Sequence, residues 1–339
     1  MDQGYKPQGH WHGHGAVPAP GQAPQPAPAW WPALTIQYCG TGGTLFVLVV
    51  KNLLLTLVTL GVYLPWARTE RRKYLWQNLD VGGQRLRYHG TGTELFVGYL
   101  KVLAAYALFL GVPFGVSQID KTAGLIVQGV AGVVLLLVVP FAIYGSRRYR
   151  LSRTSLRGIR FGQEPGSGGY FKKFVGGLLL TMVTLGFFTP VWKNRLYTYV
   201  TKRTRYGSVP FDYDGTDREA FLIGVKGFLL TMITFGIYGP WYMATVARFR
   251  ASHTIFQGAR GKLDVTGGEL FQIFIIAYIG VAASLGIAFP WISTFVMRTL
   301  ASKLTFVGVI DFAQIERQAT QGDAAADGFA DALDVGIQI

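Results

Sequence analysis

Acidic side chains are scarce in this 339-residue chain: 18 Asp and Glu stand against 32 Lys and Arg, for a net charge of +14. Charged residues of both signs make up only 15% of the sequence, against about 25% in soluble proteins. A soluble fold would lack the polar side chains to cover itself. The single cysteine, Cys39, excludes an internal disulfide. The first 29 residues are dominated by Gly, Pro, Ala, Gln and His, with no apolar run to serve as a signal-peptide core. The first apolar segment is therefore expected to target the chain. No Gly-rich phosphate loop, HExxH or GxSxG occurs. No catalytic, cofactor or metal site is predicted, and the chain is read as a non-enzyme.

What the chain does have is a period. Phe46, Phe96, Phe171, Phe221 and Phe271 open apolar segments at spacings of 50, 75, 50 and 50. Fifteen residues after four of them stand Gly61, Gly186, Gly236 and Gly286, and nineteen after stand Pro65, Pro190, Pro240 and Pro290. The 25-residue surplus in the second unit is enough for one more membrane span. Candidate spans are 44–66, 95–116, 124–145, 171–192, 221–242 and 270–291, each long enough to cross the hydrocarbon. The predicted fold is all-α: a polytopic membrane protein of about five internal repeats, each a transmembrane helix plus a basic amphipathic connector. The expected domains are a Gly/Pro/His-rich tail (1–32), a repeat-built membrane domain (33–315) and an acidic C-terminal tail (316–339).

Local signals support helix starts. Thr91-Gly92-Thr93-Glu94, Thr216-Asp217-Arg218-Glu219 and Thr266-Gly267-Gly268-Glu269 have capping-box form. Thr41 keeps the hydroxyl without the Glu. The run Leu55-Thr56-Leu57-Val58-Thr59-Leu60-Gly61 returns at 180–186 and 230–236; its small and hydroxyl residues suit close helix packing, and the hydroxyls can equally bond their own i−4 carbonyls. Each proline is expected to bend or end its span, with the neighbouring Trp or Tyr at headgroup level. The connectors are basic: Arg68, Arg71, Arg72, Lys73, Arg85 and Arg87 lie in the first, and Lys193, Arg195, Lys202, Arg203, Arg205 and Arg218 in the third. An aromatic recurs in them at Tyr74, Tyr149, Tyr199 and Phe249. Each connector reads as a short interfacial helix, a Gly turn and a short extended piece such as Gln84–Tyr88.

This charge suits anionic lipid headgroups. No reader of nucleic acid is recognisable. Six single crossings create a conflict: connectors 67–93, 146–170 and 243–268 share one side, and the basic connector 193–218 falls on the other, against the positive-inside rule. Re-entry of some spans would remove it. Inside the spans, Lys51, Lys101 and Lys226 share one offset from the unit Phe. They either snorkel to the headgroups or form a ring for an anionic lipid or a small anionic solute. Glu94 and Glu219 stand seven residues before Lys101 and Lys226, on the same helical face. His10, His12 and His14 could hold a divalent metal weakly; solitary His89 and His253 have no ligand set around them.

The runs LLLTLVTLGVYLPWARTERRKYL (53–75) and LLTMITFGIYGPWYMATVARF (229–249), with TGTELF at 91–96, resemble the YjgN-like family of bacterial inner-membrane proteins over about residues 35–312. That resemblance implies a multi-pass protein of the bacterial inner membrane and carries no known chemistry or functional residue. Two functions fit: a transporter or channel-like protein, or a non-catalytic lipid-binding or scaffold protein of the envelope.

Overall fold

The computed structural model describes residues 33–318; the tail 1–32, with its histidines, and residues 319–339 lie outside them. The chain begins with β1 (Ala33–Tyr38), α1 (Gly42–Val58), α2 (Leu64–Gln77), β2 (Leu79–Val81), β3 (Gln84–Arg85) and β4 (Arg87–Tyr88). The long pair α3 (Gly92–Ile119) and α4 (Lys121–Ser152) follows. Next come β5 (Thr154–Leu156), β6 (Ile159–Gln163), α5 (Ser167–Val183) and α6 (Thr189–Lys202). Then come β7 (Thr204–Tyr206), β8 (Val209–Tyr213), α7 (Asp217–Ile233) and α8 (Gly239–Ser252). Last are β9 (Thr254–Phe256), β10 (Ala259–Leu263), α9 (Gly267–Ala283), α10 (Phe289–Ser302) and β11 (Leu304–Val307). A short helix, 312–318, closes the described chain.

The expected caps start the helices. The hydroxyls of Thr41, Thr91, Thr216 and Thr266 accept the amide hydrogen three residues on. At Thr266 the Glu269 carboxylate completes the reciprocal box.

The prolines do not end these helices. α1, α5, α7 and α9 stop at Val58, Val183, Ile233 and Ala283, seven residues before each proline. The chain then turns through left-handed pairs, Leu60-Gly61, Leu185-Gly186, Phe235-Gly236 and Leu285-Gly286, with φ of +49 to +51 and +90 to +94. Pro65, Pro190, Pro240 and Pro290 sit in the first turn of the next helix, where a fixed φ is already helical and no amide hydrogen is needed. The second helix folds back along the first: near the end of α2, the Tyr74 hydroxyl donates to Thr41 O at the start of α1, at 2.8 Å.

The expectation of an all-α, six-span, five-repeat polytopic fold is therefore corrected on two counts. First, 44–66, 171–192, 221–242 and 270–291 each contain a helix, a bend and the start of a second helix. Among the described residues only α3 and α4 are long and apolar enough to cross a membrane. The apolar run passes unbroken through bends such as Leu60-Gly61-Val62, which hides them from hydropathy. Second, the connectors hold nine strands, which with β1 before the first hairpin and β11 after the last form one eleven-stranded antiparallel sheet, ordered β3-β2-β1-β11-β10-β9-β8-β7-β6-β5-β4. Its two ends, β3 and β4, are separated in sequence by Leu86 alone, so the sheet is a nearly closed barrel. Most of these strands are two to five residues long, too short to show a convincing alternation; β1 does alternate, with Leu34, Ile36 and Tyr38 on one face. Tight turns at Arg157-Gly158 and Gln257-Gly258, both residues at positive φ, have the two-residue form that matches strand twist.

One end of the barrel is filled. Leu86, Leu156, Ile159, Tyr206, Phe256 and Ile315 form a buried cluster, with Phe312 packed against it. The helix 312–318 thus crosses the boundary expected at 315/316. The helix pairs stand in a ring whose last member, α10, packs on α1. Aromatic contacts bridge adjacent pairs: Phe46 on Trp291 at 4.9 Å, Phe96 on Trp66 at 5.1 Å and Phe271 on Trp241 at 5.3 Å. The repeating Phe is thus a joint between neighbouring hairpins.

Candidate functional site

The hairpins have an apolar end, a charged middle and a polar base. At the apolar end Leu60, Leu185, Phe235 and Leu285 are 89% to 97% exposed, and the flanking Val58, Val183 and Ile233 also face outward. Such a patch on a folded protein calls for a covering partner.

The bends are stitched by a side chain. Thr59, Thr184, Thr234 and Ser284 donate their hydroxyls to the carbonyl four residues back, at 2.6–2.8 Å. Each also accepts the amide hydrogen four residues on, at 2.9–3.1 Å. The second hydroxyl of the recurrent run thus makes the i−4 carbonyl bond that the sequence left open beside helix packing, and through the amide bond it also fastens the turn.

The three lysines differ. Lys51 on α1 meets Glu70 on α2 at 3.2 Å, and the Tyr63 hydroxyl donates to the same carboxylate at 3.1 Å. Lys101 and Lys226 are exposed and make no ion pair among the described residues. Glu94 and Glu219 do not reach down to them. Glu94 instead turns across to the end of α4, meeting Arg153 at 2.7 Å and accepting from the Tyr149 hydroxyl at 2.7 Å. Glu219 bonds its own cap residue Thr216 at 2.9 Å and faces His253 at 3.7 Å.

That cross-link is the common device of the base: the start of each first helix is tied to the end of the second. The Tyr199 hydroxyl donates to Gly166 O at 2.7 Å, and Lys303 meets Glu269 at 2.7 Å. The recurring aromatics Tyr74, Tyr149 and Tyr199 owe their spacing to this closure, a role their sequence position did not reveal.

Many connector cations are neutralised: Arg205 by Glu164, Arg260 by Asp214 and Arg195 by Asp217, each at 2.6 Å. On α2, by contrast, Arg68, Arg71, Arg72 and Lys73 make no ion pair among the described residues; Arg71 lies over the Phe289 ring at 5.4 Å. Several phenols are buried; those of Tyr206 and Tyr213 act as donors, whereas the Tyr38 hydroxyl has no hydrogen-bond partner among the described residues. Burial pushes Tyr38 and Tyr206 up to about 12, and Tyr206 donates to Leu156 O at 2.8 Å. Burial also raises Tyr213, which donates to Asn194 Oδ1 at 2.9 Å.

His89 bonds Ser155 Oγ at 2.7 Å and His253 bonds Phe249 O at 2.8 Å. No group of three His, Cys, Asp or Glu among the described residues could hold a metal. At the far end of the long pair an open groove of about 830 Å³ runs between α3 and α4, lined by Leu110, Pro113, Phe114, Leu125, Gln128 and Lys121 among others.

A family of bacterial proteins of unknown function (DUF898) matches residues 33–239, 209–282 and 230–332. The chain is 33% identical over 128 residues to inner membrane protein YjgN of Salmonella typhimurium (strain LT2). It is 35% identical over 130 residues to inner membrane protein YjgN of Escherichia coli (strain K12). Each match covers 38% of this chain and 31% of the relative, so the matched part is under a third of the relatives' length. The resemblance to YjgN-like proteins read from the motifs holds. No solved structure matches.

Proposed function

The chain belongs to the family of bacterial proteins of unknown function (DUF898), and on that premise we propose that it is a non-catalytic, lipid-binding protein of the bacterial inner membrane, anchored by α3 and α4. One observation carries the reading: the apolar bends all lie at one end of the hairpins, and basic side chains stand further along them, toward the sheet. An apolar tip suits acyl chains and the cations beyond it suit anionic headgroups. Arg68, Arg71, Arg72 and Lys73, without acidic partners, are the residues assigned to those headgroups. The apolar groove between α3 and α4 offers a further acyl-chain contact.

The test is fractionation followed by native mass spectrometry. The protein should sediment with inner membranes, resist carbonate extraction and retain anionic phospholipid in mild detergent. Replacing Arg68, Arg71, Arg72 and Lys73 together by Gln should reduce the retained anionic lipid several-fold. Release by carbonate, or unchanged lipid retention in the variant, would overturn the proposal.

A channel-like or transport role is the second reading, favoured by the closure of the helix ring through α1 and α10. Conductance or solute flux in vesicles containing the purified protein would favour it over the first.

A further inference from the structure

The connectors that six single crossings would place on opposite sides of a membrane are hydrogen-bonded neighbours. Strand β7 of connector 193–218 pairs with β6 of connector 146–170, bringing Thr204 opposite Gln163. Strand β8 pairs with β9 of connector 243–268, bringing Asp212 opposite Ile255. One continuous sheet cannot be split across a bilayer.

We propose that the protein enters the bilayer at two depths. α3 and α4 cross it. The four short hairpins, 42–77, 167–202, 217–252 and 267–302, enter from the sheet side and return to it without crossing, so the sheet and all its basic connectors stay on one side. The proposal rests on the inner-membrane reading above and deepens it.

Three observations support two depths. The first is length. From Lys51 to Leu60 and from Lys226 to Phe235 there are nine residues, about 13 Å of helix, close to the roughly 15 Å of one leaflet. From Lys101, at the same offset in α3, there are nineteen residues to Asp120, about 28 Å, close to the full thickness of about 30 Å. α5 carries no charge over the twelve residues from Lys173 to Leu185, about 18 Å, and α9 none over the sixteen from Glu269 to Leu285, about 24 Å. All four stay short of a crossing.

The second is the bend itself. Irregular backbone is excluded from hydrocarbon unless its polar groups are satisfied internally. At the first bend every amide hydrogen from Thr59 to Leu64 has an internal acceptor: Leu55 O, Leu57 O, Thr56 O, Thr59 O, Thr59 Oγ1 and Gly61 O in turn. Pro65 has none to place. The other three bends repeat this scheme from Thr184, Thr234 and Ser284. Such closure leaves no backbone donor to be stranded when the bend enters hydrocarbon.

The third is charge. With re-entry, all four basic connectors share one side, which the positive-inside rule makes cytoplasmic. Among the described residues only the turn around Asp120-Lys121 emerges on the other.

Single cysteines in a Cys39→Ser background test this in intact cells with a membrane-impermeant maleimide. Ile119→Cys should label in intact cells. Ser208→Cys should label only after disruption. Leu60→Cys and Phe235→Cys should resist in both states and label once denatured in SDS, which shows the thiol is present. Labelling of either bend in intact cells, or of Ser208→Cys together with Ile119→Cys, would overturn the two-depth arrangement. Labelling of Ser208→Cys with Ile119→Cys protected would overturn the cytoplasmic placement of the sheet. Each variant is first recovered in the carbonate-resistant membrane fraction; a wild-type protein absent from it would sink the membrane reading itself, a separate failure.

Discussion

Thr234 Oγ1 accepts the amide hydrogen of Tyr238 at 3.0 Å while donating its own hydrogen to Leu230 O at 2.8 Å. One hydroxyl thereby closes the bend between α7 and α8. Val has nearly the same shape and cannot make either bond. Thr234→Val should cost about 1–3 kcal/mol, the penalty of stranding a donor away from water. Thr234→Ser should be close to neutral, because Ser284 performs the same task between α9 and α10. Thermal unfolding of the detergent-solubilised variants measures both; equal loss in Val and Ser would point to packing of the methyl group instead.

Gly236 follows Phe235 in the same bend at φ +94, with open space where a Cβ would stand. Only backbone strain opposes a side chain there. Gly236→Ala should therefore lower stability by about 1–2 kcal/mol. Gly239, three residues on, opens α8 with equal space and no positive φ. Gly239→Ala should be neutral or slightly stabilising by the same measurement.

These bends show where the sequence was legible. Local chemistry could be read directly: Thr41, Thr91, Thr216 and Thr266 cap helices as their spacing predicts, and the extended piece Gln84–Tyr88 is β3 and β4. Hydropathy, however, sums over a window and cannot see a change of direction inside an apolar run. Leu60-Gly61-Val62 therefore reads as part of a span, and Pro65 reads as the point where that span bends or ends, although it opens the next helix. The sheet was hidden for another reason. Thr204-Arg205-Tyr206 is three residues long; β8 beside it belongs to the same connector, but β6 on its other side comes from connector 146–170. That second pairing is a non-local fact that no single connector carries. Glu94 shows the same limit: its helical neighbour Lys101 could be read from sequence, but its actual partner Arg153 lies 59 residues away.

Ile315 is fully buried among Leu86, Leu156, Ile159, Tyr206 and Phe256, and the helix that carries it seals the barrel. Ile315→Ala should cost about 2–5 kcal/mol, and Ile315→Val about 0.5–1.5 kcal/mol. Limited proteolysis adds a second measurement. If helix 312–318 is the seal, Ile315→Ala should raise cleavage after Arg317 well before the hairpins are cut. Wild-type resistance in that variant would mean that Phe312 alone holds the helix in place.

Asp212 on β8 supplies the pH prediction. Lys202 meets its carboxylate at 2.9 Å, and this hydrogen bond, with help from the Tyr213 amide, holds its pKa below the ordinary carboxylate range despite partial burial. A depressed pKa in the folded state stabilises once the pH is above the unfolded value, about 3.9. The contribution fades as the pH falls below that and is gone beneath the folded value. The two side chains are 51% and 61% exposed, so solvent and salt hold the pair to under about 1 kcal/mol. Asp212→Asn should therefore melt slightly below the wild type near neutral pH, and the gap should close as the pH drops under about 4. Added salt should narrow the neutral-pH gap as well, because exposed charges are screened within about 10 Å at 0.1 M. A gap that persists at about pH 2.5, or is blind to salt, would assign the effect to local packing around residue 212, since Asn can still accept the Tyr213 amide hydrogen, and would remove Lys202 from the explanation.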